Sequence, residues 1–394
     1  MKIKKRVLSD CILGLLTLLS CYPIRIYRFI WLYTLYIACA WIVIKVIRGK
    51  YRPSKIIFIL TIFFGINAVF TVLNNNTLLS YTDSVLTLYL RVFLYIIWID
   101  YSVKRDKRLF LDIHFYVLSV LYLWQLYYQI VNPARFGIAS SGNYQNLILS
   151  DNFLGYIFVP YMVLVCIRAY YQKGKLDLCS FLMLLFCCIS VIKSQAGAGM
   201  FGVVFFMVAI LYCEWFEKRK KNKQVAIWKY YVLYLGFFVA VVFFNMQYLA
   251  AGFLENVLNK DITFTGRTAI WAVAIDMIKS NPFWGYGTMP DGRTLVVGIS
   301  LSSGSSHSAH NYFLSLLIET GIWGLLIYVY MLVIVARQIY HAKDRYIANV
   351  IASGIFAMFL MYISEGMITQ PAQYMIFILA FYSSEWAYIA QKSS

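Results

Sequence analysis

Twelve apolar runs follow one another along this chain, and their length constrains the fold more than any single motif does. They cover about 8–23, 27–47, 56–73, 83–100, 109–131, 147–168, 176–193, 197–215, 228–247, 310–336, 347–366 and 371–391. Most come close to the ~20 residues that an α-helix needs to cross a bilayer. Composition points the same way. Of 394 residues, 61% are apolar and 13% charged, against roughly 45–50% and about 25% in soluble domains. With a mean hydropathy of +0.69, such a chain cannot close a water-facing surface over its core. Soluble-enzyme, disordered and coiled-coil architectures are excluded. The expectation is an all-α polytopic membrane protein with about 12 transmembrane helices.

The net charge of +18 admits two meanings, a nucleic-acid partner or an orientation code, and position decides between them. Lys4, Lys5 and Arg6 open the chain, and Arg48, Lys50, Arg52 and Lys55 follow the second run. Lys104, Arg105, Lys107 and Arg108 follow the fourth, and Arg168, Lys173 and Lys175 the sixth. Lys218, Arg219, Lys220, Lys221 and Lys223 follow the eighth, and Arg337, Lys343 and Arg345 the tenth. With their near neighbours these clusters hold 26 of the 35 bases, all on one side of the expected bundle. Positive residues mark the cytoplasmic side, so both termini are expected there and nucleic acid is excluded as a partner. The eight cysteines lie in apolar runs without paired loop spacing, as small buried hydrophobes do. The basic start leads into an apolar run without a small-residue cleavage site, so the first helix is expected to stay.

The chain divides into 1–246 with helices one to nine, a large extracytoplasmic loop at 247–309, and 310–394 with the last three helices. A second, smaller outer segment lies at 132–146. Long ordered loops tend to carry function. Within the large loop, Ile270, Trp271, Ala274, Ile275 and Ile278 form an apolar stripe opposite Thr268, Asp276 and Lys279, and Asn281-Pro282 ends the pattern. This predicts a short amphipathic helix. Resting on the membrane interface or the bundle would account for the stripe, but not for Arg267 in the first turn, where the macrodipole disfavours a cation. A helix N-terminus attracts an anion, and an Arg there adds bidentate donors for phosphate.

The loop ends in His307-Ser308-Ala309-His310-Asn311. His310 is expected at the mouth of the tenth helix after a Ser308 cap, where the positive helix end favours the neutral imidazole that a general base requires. His307 and His310 have the spacing of a metal pair, but no third ligand converges on them, so no metal is expected. His114 and His341 read as structural or solvated.

The string His310-Asn311-x-x-Leu314-x-x-Leu317-x-Glu319-x-Gly321-x-x-Gly324 resembles the signature of the O-antigen ligase and polysaccharide polymerase superfamily. Upstream, Gly266-Arg267-x-x-Ile270-Trp271 and Asn281-Pro282-Phe283-Trp284-Gly285-Tyr286-Gly287 are similar to the segment that opens that family's large loop. The resemblance implies an inverting, metal- and cofactor-independent glycosyl transfer at the extracytoplasmic face of the bacterial cytoplasmic membrane. Donor and acceptor would be oligosaccharides on undecaprenyl diphosphate, with a chain-length regulator and a flippase as candidate partners. It assigns His310 as base or acceptor-orienting residue and Arg267 as a diphosphate contact, with Asn311, Glu319, Gly266, Trp271 and His307 supporting the motif.

A positioned base typically contributes 10²–10⁴-fold, and fixed Arg donors can stabilise a departing diphosphate. Further cations for that task are Arg135, Arg91 and Lys193, since Ser194-Gln195 stands where many relatives have Ser-Arg. Arg91 lies within a span, where a charge needs a partner or a cavity; Asp83 and Asp112 are the alternative partners. Glu319, nine residues after His310, falls on the opposite helical face and reads as an interhelical contact. The reading is a Wzy-type repeat-unit polymerase making capsule, O-antigen or exopolysaccharide. The alternative is a ligase that moves finished glycan to a lipid or protein, with a flippase or transporter behind both.

Overall fold

The computed structural model describes residues 5–22, 28–49, 51–75, 85–131, 148, 153–194, 197–218, 224–244, 246, 267–288, 300–301, 304–305 and 309–387. The helices are α1 (Lys5–Cys21), α2 (Arg28–Arg48), α3 (Lys55–Asn75), α4 (Val85–Arg105), α5 (Lys107–Val131), α6 (Leu154–Lys173) and α7 (Leu178–Lys193). They continue with α8 (Gly197–Lys218), α9 (Ile227–Val242), α10 (Arg267–Ser280), α11 (Tyr312–Tyr340), α12 (Arg345–Tyr362) and α13 (Ala372–Phe381), and a 3₁₀ turn follows at Ser383–Glu385. Every apolar run of the sequence holds one helix, and α10 is the amphipathic helix expected in the large loop. The remaining regular structure among the described residues is a two-residue antiparallel pair, β1 (Ser300–Leu301) with β2 (Gly304–Ser305). Seven helices, α3, α4, α5, α6, α8, α11 and α12, are long and apolar enough to cross a membrane, and α7, α9 and α13 are shorter apolar helices. The chain is an all-helical polytopic membrane protein.

At the centre stands α6, buried from Leu154 to Ala169 around its whole circumference and packed by α5, α7, α8, α12 and α13. A helix apolar on all sides belongs in such a place. The outer helices instead expose large apolar side chains, among them Ile47, Phe58, Val208, Leu233 and Val333. A water-soluble monomer rarely shows so extended an apolar surface, whereas lipid is its natural solvent.

Polar contacts join the basic helix ends at one pole of the bundle. Asp10 of α1 binds Lys45 of α2 at 2.5 Å and Arg105 of α4 at 2.8 Å, and Lys107 of α5 binds Glu385 at 2.6 Å. Ser383 donates to Gln338 O at 2.7 Å, and Asn349 of α12 accepts from Val225 N at 2.7 Å. Within the large loop, α10 and 281–288 belong to the opposite pole, where α11 begins and α12 ends.

Several boundaries differ from expectation. The run 347–366 stops being helical at Tyr362, and 363–371 is a buried, irregular link into α13. Buried backbone needs partners: Gln373 donates to the carbonyls of Met367 and Ile368, and Tyr374 to that of Ile368. The run 371–391 yields a helix only to Phe381, while α11 reaches Tyr340. It begins after an Asn311 cap rather than a Ser308 cap, because the Asn311 side chain accepts from both Phe313 N and Leu314 N at 3.0 Å. Asp112 is not the partner of Arg91, since it binds Arg168 at 2.7 Å.

Candidate active site

The site is assembled from three stretches far apart in sequence: the start of α10, the approach to α11, and the link after α12. Glu365, in that link, is the hub. Its Oε1 accepts from Arg267 Nη2 at 2.6 Å, and its Oε2 lies 3.3 Å from His310 Nδ1. Arg267 also donates through Nη1 to the Ser364 carbonyl. The carboxylate side chain is 3% exposed, against 18% for Arg267 and 31% for His310. The group thus runs from a buried anion to a partly exposed histidine.

Electrostatics explain why this arrangement is stable. Burial pushes the Glu365 carboxyl up, but Arg267 and the His310 hydrogen bond outweigh it and hold it below the usual carboxylate range. The ionised carboxylate is an acceptor only, so Nδ1 of His310 carries the hydrogen between them. The lone pair of the neutral ring is then on Nε2. Arg267, a cation at the unfavourable end of α10, is balanced by an anion that the chain itself supplies.

Backbone contacts fix the three stretches against one another. Asn311 caps α11 with its Oδ1 while its Nδ2 donates to Ile363 O at 2.9 Å, so one side chain ties the start of α11 to the Glu365 link. Gly366 allows that approach, since a Cβ there would stand 2.8 Å from Tyr312 Cα and N. Tyr156 of α6 donates to Glu365 O at 2.7 Å. Trp271, fully buried on the inner face of α10, donates to Ala309 O at 3.1 Å, directly before His310. Burying a large side chain of this kind contributes roughly 1.5–3 kcal/mol. His310 itself has φ 44°, in the left-handed region that non-glycine residues rarely occupy and that surrounding structure must impose.

Glu319 stands apart from this group. Its Oε2 accepts from Asn67 Nδ2 of α3 at 3.1 Å and from the Thr288 hydroxyl, and Asn67 Oδ1 accepts from Thr288 and Tyr89 at 3.0 Å. Just beyond, Gly321 breaks α11 with φ 60° and ψ −162°. The break releases the carbonyls of Ile318 and Glu319, which accept from Tyr286 N at 2.7 Å and Gly287 N at 3.0 Å, while Ile322 N donates to Pro282 O at 3.0 Å. A Cβ on Gly321 would meet Phe283 O at 2.3 Å. The two motifs of the large-loop region and α11 are therefore docked on each other.

Of the other sequence candidates, Arg91 is partly buried in α4 and Lys193 is exposed at the end of α7. Arg135, Gly266, His307 and Gln195 lie outside the described residues. The residue that the motif reading missed is Glu365. A signal was present: it is the only charged residue between Arg345 and Glu385, and an ionisable group in an apolar run is a functional candidate by default.

Residues 181–329 match the family model described as O-antigen ligase. The matched stretch contains most of α7, then α8 to α10, Arg267, His310 and the break at Gly321, but not Glu365. No curated protein and no solved structure matched the chain. The match supports a glycosyltransferase-like enzyme acting on lipid-linked glycans in a membrane. Over this segment the chain is similar to the O-antigen ligase family.

Proposed function

We propose that this chain polymerises undecaprenyl-diphosphate-linked oligosaccharide repeat units into a surface polysaccharide, from the outer face of the bacterial cytoplasmic membrane. The observation that carries the reading is the convergence of His310 and Arg267 on one buried carboxylate beside the family-matched helices. In this reading the termini are cytoplasmic, so the basic pole lies inside and the Glu365 group outside, in accord with the positive-inside distribution.

In this reading Nε2 of His310 takes the proton of the acceptor hydroxyl as its oxygen attacks the anomeric carbon of the donor. The bond to the diphosphate breaks on the opposite face, and undecaprenyl diphosphate leaves with the electron pair, which inverts the anomeric centre. Arg267 stabilises the developing charge, with Arg135, Arg91 and Lys193 as further cations. A guanidinium has five N–H donors, and its contacts to Ser364 and Glu365 use two. No metal or cofactor takes part in this scheme.

A ligase reading is favoured by the description of the matched family and shares the donor chemistry. The test is the product of the purified protein given undecaprenyl-diphosphate-linked repeat unit extracted from cells lacking this chain. A ladder of chain lengths is expected, and H310A is expected to abolish it while inserting normally. Transfer of a preformed chain to another acceptor without a ladder would replace polymerase by ligase. A normal ladder from H310A would overturn the base assignment.

A further inference from the structure

We infer that Glu365 is a positioning residue for His310, held in place by Arg267, and that this buried pair sets which imidazole nitrogen faces the acceptor hydroxyl. The inference rests on the base role proposed for His310.

The argument starts from the cost of the arrangement. A carboxylate 3% exposed is expensive unless it is paired and hydrogen-bonded. Arg267 balances the charge through Oε1, yet Arg267 alone needs neither the second oxygen nor a histidine next to it. Oε2 points instead at Nδ1 of His310. That residue is held at φ 44° between the Trp271 bond to Ala309 and the Asn311 clamp on Ile363. Three separate devices thus fix the imidazole against Oε2: a strained backbone, an indole hydrogen bond and a cap that reaches across to the link.

The tautomer follows from the chemistry. An ionised carboxylate cannot donate, so a neutral His310 bonded to it carries its proton on Nδ1 and accepts at Nε2. When Nε2 takes the acceptor proton, the imidazolium stays beside the carboxylate, which stabilises it. The groups bonded to Glu365 from the elements around it are Arg267 of α10, His310 before α11 and, on its backbone carbonyl, the Tyr156 phenol of α6.

Glu365→Gln tests this with the same lipid-linked repeat unit from cells lacking the chain. The expected result is a fall in kcat on the order of 10²–10⁴-fold, the range of a general base, with KM for the donor little changed. The acidic limb of its kcat/KM profile is expected to move to lower pH, because the anion that favours a protonated ring is gone. A merely structural residue would lower the amount of folded protein without moving that limb.

Since Gln leaves Arg267 unbalanced, Glu365→Asp is the companion variant: it keeps the charge but withdraws the carboxylate from the ring by one methylene. Reduced kcat with retained folding is expected for it too. Nitrogen-15 histidine spectra of the folded wild-type protein should show His310 protonated on Nδ1 when neutral. Wild-type kcat and pH profile in either folded variant, or a proton on Nε2, would overturn the inference. If H310A is inactive while both Glu365 variants behave as wild type, this inference fails and the base reading stands. If H310A is active, the base reading itself fails.

Discussion

Two buried glutamates near the same pole of the bundle are held in opposite ways. Glu319 is closed in by neutral donors, Asn67 and Thr288, and lies 1% exposed. Glu365 is bound by a cation and a histidine, and its group reaches the surface through the partly exposed His310. The first contact joins α3, α11 and the loop segment before the break at Gly321, so it acts as a lock between elements. The second brings a cation and an imidazole onto one carboxylate, with the imidazole partly exposed. Sequence motif strength ranks the two in the reverse order, since Glu319 belongs to the family-like string and Glu365 does not. The difference teaches that a motif residue can serve the frame of a site while its chemistry depends on a residue outside the motif.

Three measurements test this contrast, in order of decreasing effect. Glu319→Ala leaves the buried Asn67 Nδ2 donor without its Glu319 acceptor, and an unsatisfied buried group costs about 1–3 kcal/mol. Folded yield and thermal stability should drop, while activity per folded molecule persists. Loss of activity at unchanged stability would mean that Glu319 belongs to the chemistry.

Acid should act through the other glutamate. Glu365 is held below the ordinary Glu value of about 4.3. A group of this kind contributes stability that is complete above that value and disappears as pH falls through its lower, folded one. The thermal midpoint of the purified protein should therefore fall below about pH 4, and less steeply in E365Q. Equal acid slopes for the two proteins would show that the ion pair contributes nothing to folding.

The smallest effect belongs to a control outside both clusters. Asp177 caps α7 by accepting from Ser180 N at 3.0 Å. Burial pushes its carboxyl up, but Lys173 and the Ser180 contacts outweigh it and lower it to about 2. Asp177→Ala should cost about 1 kcal/mol, a typical cap, with polymer formation untouched. A change in chain length there would show that the basic pole also influences the reaction.

The helices were legible because membrane-length apolar runs leave a chain few other options, and α10 because its stripe has helical period. His310, Arg267 and Asn311 were legible because their residue types fit poorly with bland roles at those positions. What stayed hidden depended on contacts between distant segments. The end of α12 at Tyr362 comes before Gly366, the first local breaker in the sequence, and Asn311 and Tyr156 reach across to hold the link there. The Ser308 cap was a reasonable local choice, but Asn311 supplies both the cap and the cross-link, which one hydroxyl cannot.

The sequence by itself determined the helical membrane architecture, the basic pole and the cation–histidine pair around which a diphosphate chemistry is conceivable. These follow from hydrophobicity, charge and period, which are properties of neighbours along the chain. The meeting of Arg267 and His310, and the part of Glu365 between them, came from packing alone. A buried carboxylate is stable only where distant segments bring its partners within bonding distance, and that proximity is set by packing.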